Sequence, residues 1–209
     1  MGQPQQQAVP PPGYPWEYQR LVTLDDGRRI LIRPILPGDA PGLAEAIKTA
    51  DADTLRRRFL GGPPPLTPDL LAHLTTVDYI RRFALVAIDP VSERGVAIAR
   101  YEPAGEEAAE VSIAVSPGWR HAGLATVLLM LLAEAAAERG IRAFSGSYLA
   151  ENRPVAALIE DAGGPDGQLI EQGIAEFSVG LGGHLETTDR GDQRGRGGAR
   201  RPGNAPGDA

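Results

Sequence analysis

Glu110-Val-Ser-Ile-Ala-Val115-Ser-Pro-Gly-Trp-Arg120-His-Ala-Gly123-Leu-Ala125-Thr126 decides how the rest of the chain is read. A strand pattern runs into a Pro-Gly turn, and a helix then opens on small residues. Alternation along the strand puts Glu110, Ser112 and Ala114 on one face and Val111, Ile113 and Val115 on the other. Backbone N–H groups of the loop and first helical turn, His121, Ala122, Gly123, Leu124, Ala125 and Thr126, point outward without an intrahelical acceptor. The helix dipole adds about half a positive charge there. Such a junction suits an anion, and a pyrophosphate would satisfy several donors at once. Gly123 admits a phosphate close to the backbone, Ala125 keeps the first turn small, and Arg120 adds charge at the rim. Arg-x-x-Gly-x-Ala also arises by chance in a Gly- and Ala-rich chain, so the surroundings must carry the reading.

Downstream, Gly123 to Arg139 is a long helix, apolar on most faces and stopped by Gly140, which predicts burial against a sheet. Arg142 to Leu149 follows as a strand, Pro154 to Ala162 as a helix and Phe177 to Leu181 as a closing strand. Upstream, Tyr18 to Leu24 and Arg28 to Ile35 alternate around Asp25-Asp26-Gly27, the mark of a β-hairpin. Gly38 to Ala50 and Asp53 to Leu60 have helical spacing, and Gly61-Gly62-Pro63-Pro64-Pro65 breaks the chain. Thr67 caps a third helix, and Phe83 to Ile88, Gly95 to Tyr101 and Glu110 to Val115 form successive strands. The order predicts an α+β domain over residues 16–182. Segment 1–15 is rich in Gln and Pro, segment 183–209 in Gly, Arg and Asp, and both are expected to be disordered.

Composition excludes several chemistries. The 209 residues contain no cysteine, so disulfides, thiolate metal sites and cysteine nucleophiles are out. Lys48 is the sole lysine and no glycine precedes it closely, which removes a Walker phosphate loop. The three histidines, His73, His121 and His184, are scattered without matching carboxylates, so no metal site is expected. A net charge of −6 gives no pull toward nucleic acid or anionic lipid and mildly favours a basic partner. The longest greasy run, Ala122 to Ala133, is too short to span a bilayer, and the N-terminus lacks the pattern of a secretion signal. A cytoplasmic protein is expected.

In this order of elements, Arg120, Gly123 and Ala125, with Glu151-Asn152-Arg153-Pro154 after the later strand, resemble the GNAT superfamily of acyl-CoA-dependent N-acetyltransferases. Within it, Arg29-Ile-Leu-Ile-Arg-Pro-Ile35, Leu74-Thr-Thr-Val-Asp-Tyr79 leading to Ala84-Leu-Val-Ala87, and Ala150-Glu-Asn-Arg-Pro154 are similar to the catalytic domain of bacterial protein lysine acetyltransferases. The resemblance covers about residues 20 to 181. It implies a central, mostly antiparallel sheet, flanked by helices, that splays open after the strand ending at Val115. Pantetheine would pair with Ser112, Ile113, Ala114 and Val115, and the pyrophosphate of acetyl-CoA would sit on Arg120 to Thr126. Asn152 would contact the pantetheine arm or nearby backbone. A plain helix N-cap is its other reading.

Transfer to an amine needs the amine neutral, whereas a lysine side chain titrates near pH ~10.4. A general base is wanted. Glu110 lies five residues before Val115, about 17 Å of extended chain. The resembling lysine acetyltransferases carry their base glutamate at that offset. The plain alternative is a solvated strand-end carboxylate. Two departures stand out: Ile159 falls where many members carry a tyrosine that protonates the thiolate, and Gly163-Gly164-Pro165 replaces the usual Gly-Phe. Arg56-Arg57-Arg58 could guide an acidic group or form a solvated helix face.

The expectation is an enzyme that moves an acetyl or short acyl group from acetyl-CoA to a protein lysine by direct attack, as a monomer or homodimer, with no nucleic acid or membrane partner. Rival readings are a small-molecule amine acetyltransferase and a silent acyl-CoA-binding module. From the length of the sequence, no second, regulatory domain is expected.

Overall fold

The computed structural model describes residues 10–165 and 167–183. The outer segments 1–9 and 184–209, with His184 and most of the expected disordered ends, lie outside the described residues. Tyr14 is already core: it is 6% exposed and packs edge-on against Trp16 and Tyr79.

Eight strands form one sheet among the described residues. They are β1 (Arg20–Thr23), β2 (Arg29–Pro34), β3 (Phe83–Ile88), β4 (Gly95–Pro103), β5 (Ala108–Val115), β6 (Ala143–Leu149), β7 (Gly167–Glu171) and β8 (Ile174–Gly180). Their spatial order is β1-β2-β3-β4-β5-β6-β8-β7. All neighbours are antiparallel except β5 and β6, which run parallel. The helices are α1 (Ala40–Thr49), α2 (Ala52–Phe59), α3 (Pro68–Thr75), α4 (Leu124–Glu138) and α5 (Arg153–Asp161).

The apolar stripe of α4 (Leu124, Leu128, Leu131, Leu132, Ala135 and Ala136) is buried. It packs on β3, β4 and β5, in one core with Phe83, Leu85, Ala99 and Tyr101. Each fully buried Leu contributes on the order of 1.5–3 kcal/mol. Helix α4 ends where its periodicity stops. Gly140 takes φ 80°, its N–H donates to Ala137 O, and the Ile141 N–H donates to Ala136 O, a Schellman closure. Helices α1 to α3 cover the other face. Arg100 lies between the α4-facing Ala99 and Tyr101, and it donates to the α3 carbonyl of Leu74. A smaller core holds Tyr148, Ile159, Ala175 and Val179 between α5, β6 and β8.

The sheet differs from the expected one at its far edge. The closing strand begins at Ile174 rather than Phe177, and β7 pairs with it. Gln172 at φ 49° and Gly173 at φ 80° make the two-residue turn between them. A primed hairpin turn needs positive φ at both positions, which Gly supplies freely and Gln signals poorly.

Candidate active site

Strand β5 is bonded on one side and open on the other. Ser116 N–H donates to Val96 O at 2.8 Å. The period of two therefore turns the backbone groups of Ser112 and Ala114 toward β4, and those of Val111, Ile113 and Val115 away from it. On that second side β6 pairs with β5 only at Ala108–Ala143, Ala109–Phe144 and Glu110–Ser145. The two strands then part. Gly146, the first residue past the last pair, passes close to β5: a Cβ there would stand 2.9 Å from the Phe177 ring and 3.1 Å from Val111 O. Beyond it lies a wedge edged by the Val111 carbonyl and the peptide groups of Ile113 and Val115.

The wide end of the wedge meets the mouth of α4. Pro117–Trp119 form a 3-10 turn, His121 takes φ 60° and Gly123 φ 77°. The amides of His121, Ala122 and Gly123 donate to no protein acceptor among the described residues. Those of Leu124, Ala125 and Thr126 are first-turn donors, the first helical bond being Val127 N–H to Gly123 O at 3.1 Å. Ala122 and Leu124 are buried anchors, while Thr126 is exposed. The loop is braced from the β1–β2 turn. Asp25 N–H donates to Ala122 O, Arg28 donates to Gly118 O at 2.9 Å, and its guanidinium lies 4.1 Å from the Trp119 ring centre. This concentration of free donors at a helix N-terminus can take a phosphate-like anion.

Arg120 does not stand free at the rim. Its Nε donates to Val115 O at 3.1 Å, Nη2 to Thr54 Oγ1 at 2.7 Å, and Nη1 lies 3.5 Å from Asp53 Oδ2. Asn152 is buried at 7% exposure, and its side chain does not cap α5. Its Oδ1 accepts from Arg57 Nη1 at 2.9 Å. Within the arginine run, Arg56 is exposed and pairs with Glu151 at 2.5 Å, Arg57 is half-buried and pairs with Asp53 at 2.7 Å, and the half-buried Arg58 interacts electrostatically with Glu110 and Glu102.

The narrow end of the wedge carries Glu110. It is exposed, directly opposite Glu102 on β4, and makes no hydrogen bond or ion pair among the described residues. Arg100, 3% exposed, donates to Glu102 at 2.5 Å. Burial lowers the pKa of both Arg58 and Arg100, with Glu110 and Glu102 opposing the shift for Arg58 and Glu102 for Arg100. Ile159, where a thiolate-protonating tyrosine would fall, is core, and Tyr148 packs edge-on against Phe177. His73 lies on α3 with Nε2 3.3 Å from Glu102.

A family model described as "Acetyltransferase (GNAT) family" matches residues 69–163, which span β3 to α5 with the wedge and the α4 mouth. Acetyltransferase PA5475 of Pseudomonas aeruginosa is 32% identical over 139 residues, covering 65% of this chain and 75% of that one. The chain belongs to the GNAT family of acetyltransferases. This GNAT protein is also 28% identical to acetyltransferase Pat of Mycolicibacterium smegmatis over 68% of its own length, while spanning 43% of Pat. The solved GNAT domain of S. lividans PAT superposes with a TM-score of 0.71 at 28% identity, covering 80% of this chain and 99% of that domain. As a GNAT acetyltransferase the protein is an acetyl-CoA-dependent N-acyltransferase. No helix among its described residues is long and apolar enough to cross a membrane.

Sequence reading missed Asp53 and Thr54 of this GNAT domain as parts of the site and weighed Arg57 only as one charge in an arginine run. Two local signals were available: Asp51 caps α2 through Thr54 N–H at 2.9 Å, and Asp53 and Arg57 are four apart on one helix face. Nothing local says that α2 lies across the wedge, because Thr54 and Arg120 are 66 residues apart.

Proposed function

We propose that the protein transfers the acetyl group of acetyl-CoA to a lysine side chain of another protein, with Glu110 as general base. The observation that carries this reading is the exposed Glu110 carboxylate, free of hydrogen bonds among the described residues, at the point where β5 and β6 part. The pyrophosphate sits on the amides of His121 to Thr126, with Arg120 holding the loop rather than the phosphate. Pantetheine then runs down the wedge, exchanging hydrogen bonds with the outward peptide groups of Val115 and Ile113 and the Val111 carbonyl. That course delivers the thioester to the narrow end, beside Glu110.

The incoming ammonium must first lose a proton to become nucleophilic. Glu110, open to solvent, accepts it directly or through one water. The amine nitrogen attacks the thioester carbonyl, the C–N bond forms, and gap-facing N–H groups of β5 stabilise the oxyanion. The adduct's nitrogen gives up its second proton to solvent, collapse breaks the C–S bond, and the CoA thiolate takes a proton from solvent. Three features support a protein acceptor: the likeness to Pat and to the PAT domain, the exposure of Glu110, and the net charge of −6, which suits a basic partner.

Glu110→Gln tests the reading. Turnover should fall about 10²- to 10⁴-fold while coenzyme A binds as before. Unchanged turnover would remove Glu110 from the mechanism. A protein panel run against a polyamine panel decides the acceptor.

A further inference from the structure

We infer that α2 sets the width of the wedge between β5 and β6, and that Asp53 is the positioning residue through which it acts. The inference rests on the reading that the donor lies in that wedge. One hydrogen-bonded chain crosses from edge to edge. At the β5 end, Val115 O accepts from Arg120 Nε, and Arg120 reaches α2 through Thr54 Oγ1 at 2.7 Å and Asp53 Oδ2 at 3.5 Å. At the β6 end, Arg57 donates to Asn152 Oδ1 at 2.9 Å, and its Nε donates to the same Asp53 oxygen at 2.7 Å. Asp53 Oδ2 is thus the node that both arginines share.

Further contacts hold the node in place. The Thr54 hydroxyl donates to the helix-capping Asp51, which leaves its lone pair aimed at Arg120. Arg56 adds a second tie to the β6 side at Glu151. The Arg57 side chain holds the Asp53 carboxyl below the usual carboxylate range, so the node is ionised at neutral pH. Past Glu110–Ser145 the two strands share no ladder pair, so the wedge cannot set its own spacing.

Spacing matters because a ligand lying as an extra strand needs each edge about 4.8 Å away. An opening held at that width beforehand spares the cost of ordering two edges on binding. The side chains of Asp53, Arg57 and Arg120 are 45%, 34% and 29% exposed. Ion pairs this exposed do little for global stability, so their effect falls on geometry.

The test compares the wild-type protein with Asp53→Ala and Asp53→Glu. Calorimetry with coenzyme A should give a Kd about tenfold weaker for Asp53→Ala, with a matching rise in KM for acetyl-CoA and kcat within about twofold. The melting temperature should move by no more than about 2 °C. Asp53→Glu, which can still reach both arginines, should recover most of the affinity. Without ligand, amide exchange at Ile113 and Val115 should quicken in Asp53→Ala. Wild-type affinity together with wild-type exchange in Asp53→Ala would overturn the inference. Gly123→Val separates this from a misplaced donor site: undiminished coenzyme A binding there removes the donor from the α4 mouth, while the exchange result still judges the bridge.

Discussion

A Cβ on Gly123 would stand 2.5 Å from Asp25 Oδ2. The glycine ahead of α4 is therefore required by its own fold as well as by any ligand. Its φ of 77° is left-handed, and the β1–β2 turn fills the space beside it. Asp25 is an end group that can swing aside, but its backbone is tied to Ala122 O.

Gly123→Ala should accordingly cost stability before any anion is added, about 1–3 kcal/mol from the left-handed backbone and the displaced carboxylate. Thermal unfolding without ligand reads this as a fall of several degrees. An unchanged melting temperature would mean that the turn relaxes freely.

Glu102 gathers three basic side chains: the guanidinium groups of Arg100 at 2.5 Å and Arg82 at 3.6 Å, and the His73 imidazole at 3.3 Å. Arg100 is the one that cannot turn to water, and its Nε has no partner. Glu102→Ala leaves that guanidinium buried and unpaired. The expected loss is about 2 kcal/mol, below the figure for a fully buried pair because Glu102 is a third exposed. Arg100→Met, which removes the buried charge itself, should be close to neutral. Paired denaturation curves check both, and equal losses would contradict this account.

Acid should weaken the protein through its hydrogen-bonded aspartates, chiefly the partly buried Asp78, because the exposed Asp51, Asp53 and Asp89 are screened by solvent. The Thr54 hydroxyl lowers the pKa of Asp51, Arg57 that of Asp53 and the Ser92 hydroxyl that of Asp89. At Asp78 burial pushes upward, but the N–H groups of Arg82, Ile80 and Arg81 outweigh it. Each folded-state pKa lies below its unfolded value of about 3.9, so the stabilisation is complete above that pH and is lost as pH falls through the folded values. Melting temperatures should be level from pH 7 to 5 and fall modestly below about 4, mainly through Asp78. Asp78→Asn, which keeps an acceptor for the three amides, should show a shallower drop.

Elements with a clear hydrophobic period were legible in the sequence. The run from Leu124 to Glu138 announced α4 by its apolar face and by Gly140, and Phe83 to Ile88 announced β3 by continuous burial. β7 was missed because its turn uses Gln172 where a glycine or asparagine would have signalled it. Gly123 and Glu110 stand out as candidates in the sequence because strand, turn and helix adjoin there. Arg120 was assigned to a ligand because charge is legible and partners are not. Its bonds go to residues brought near by the packing of α2. The choice of an N-cap or a ligand contact for Asn152 needed the same long-range knowledge. With Arg57 on its Oδ1, the capping reading is closed.

The three residue pairs joining β5 to β6 are also a seam in the unfolding landscape. On the far side, β6, β8, β7 and α5 gather around their own cluster of Tyr148, Ile159, Ala175 and Val179. A unit with a private core and so short a border opens sub-globally, ahead of the larger half organised on α4. Protease nicking and slow hydrogen-exchange classes should therefore sort the chain into two cooperative blocks, divided in the connection between α4 and β6.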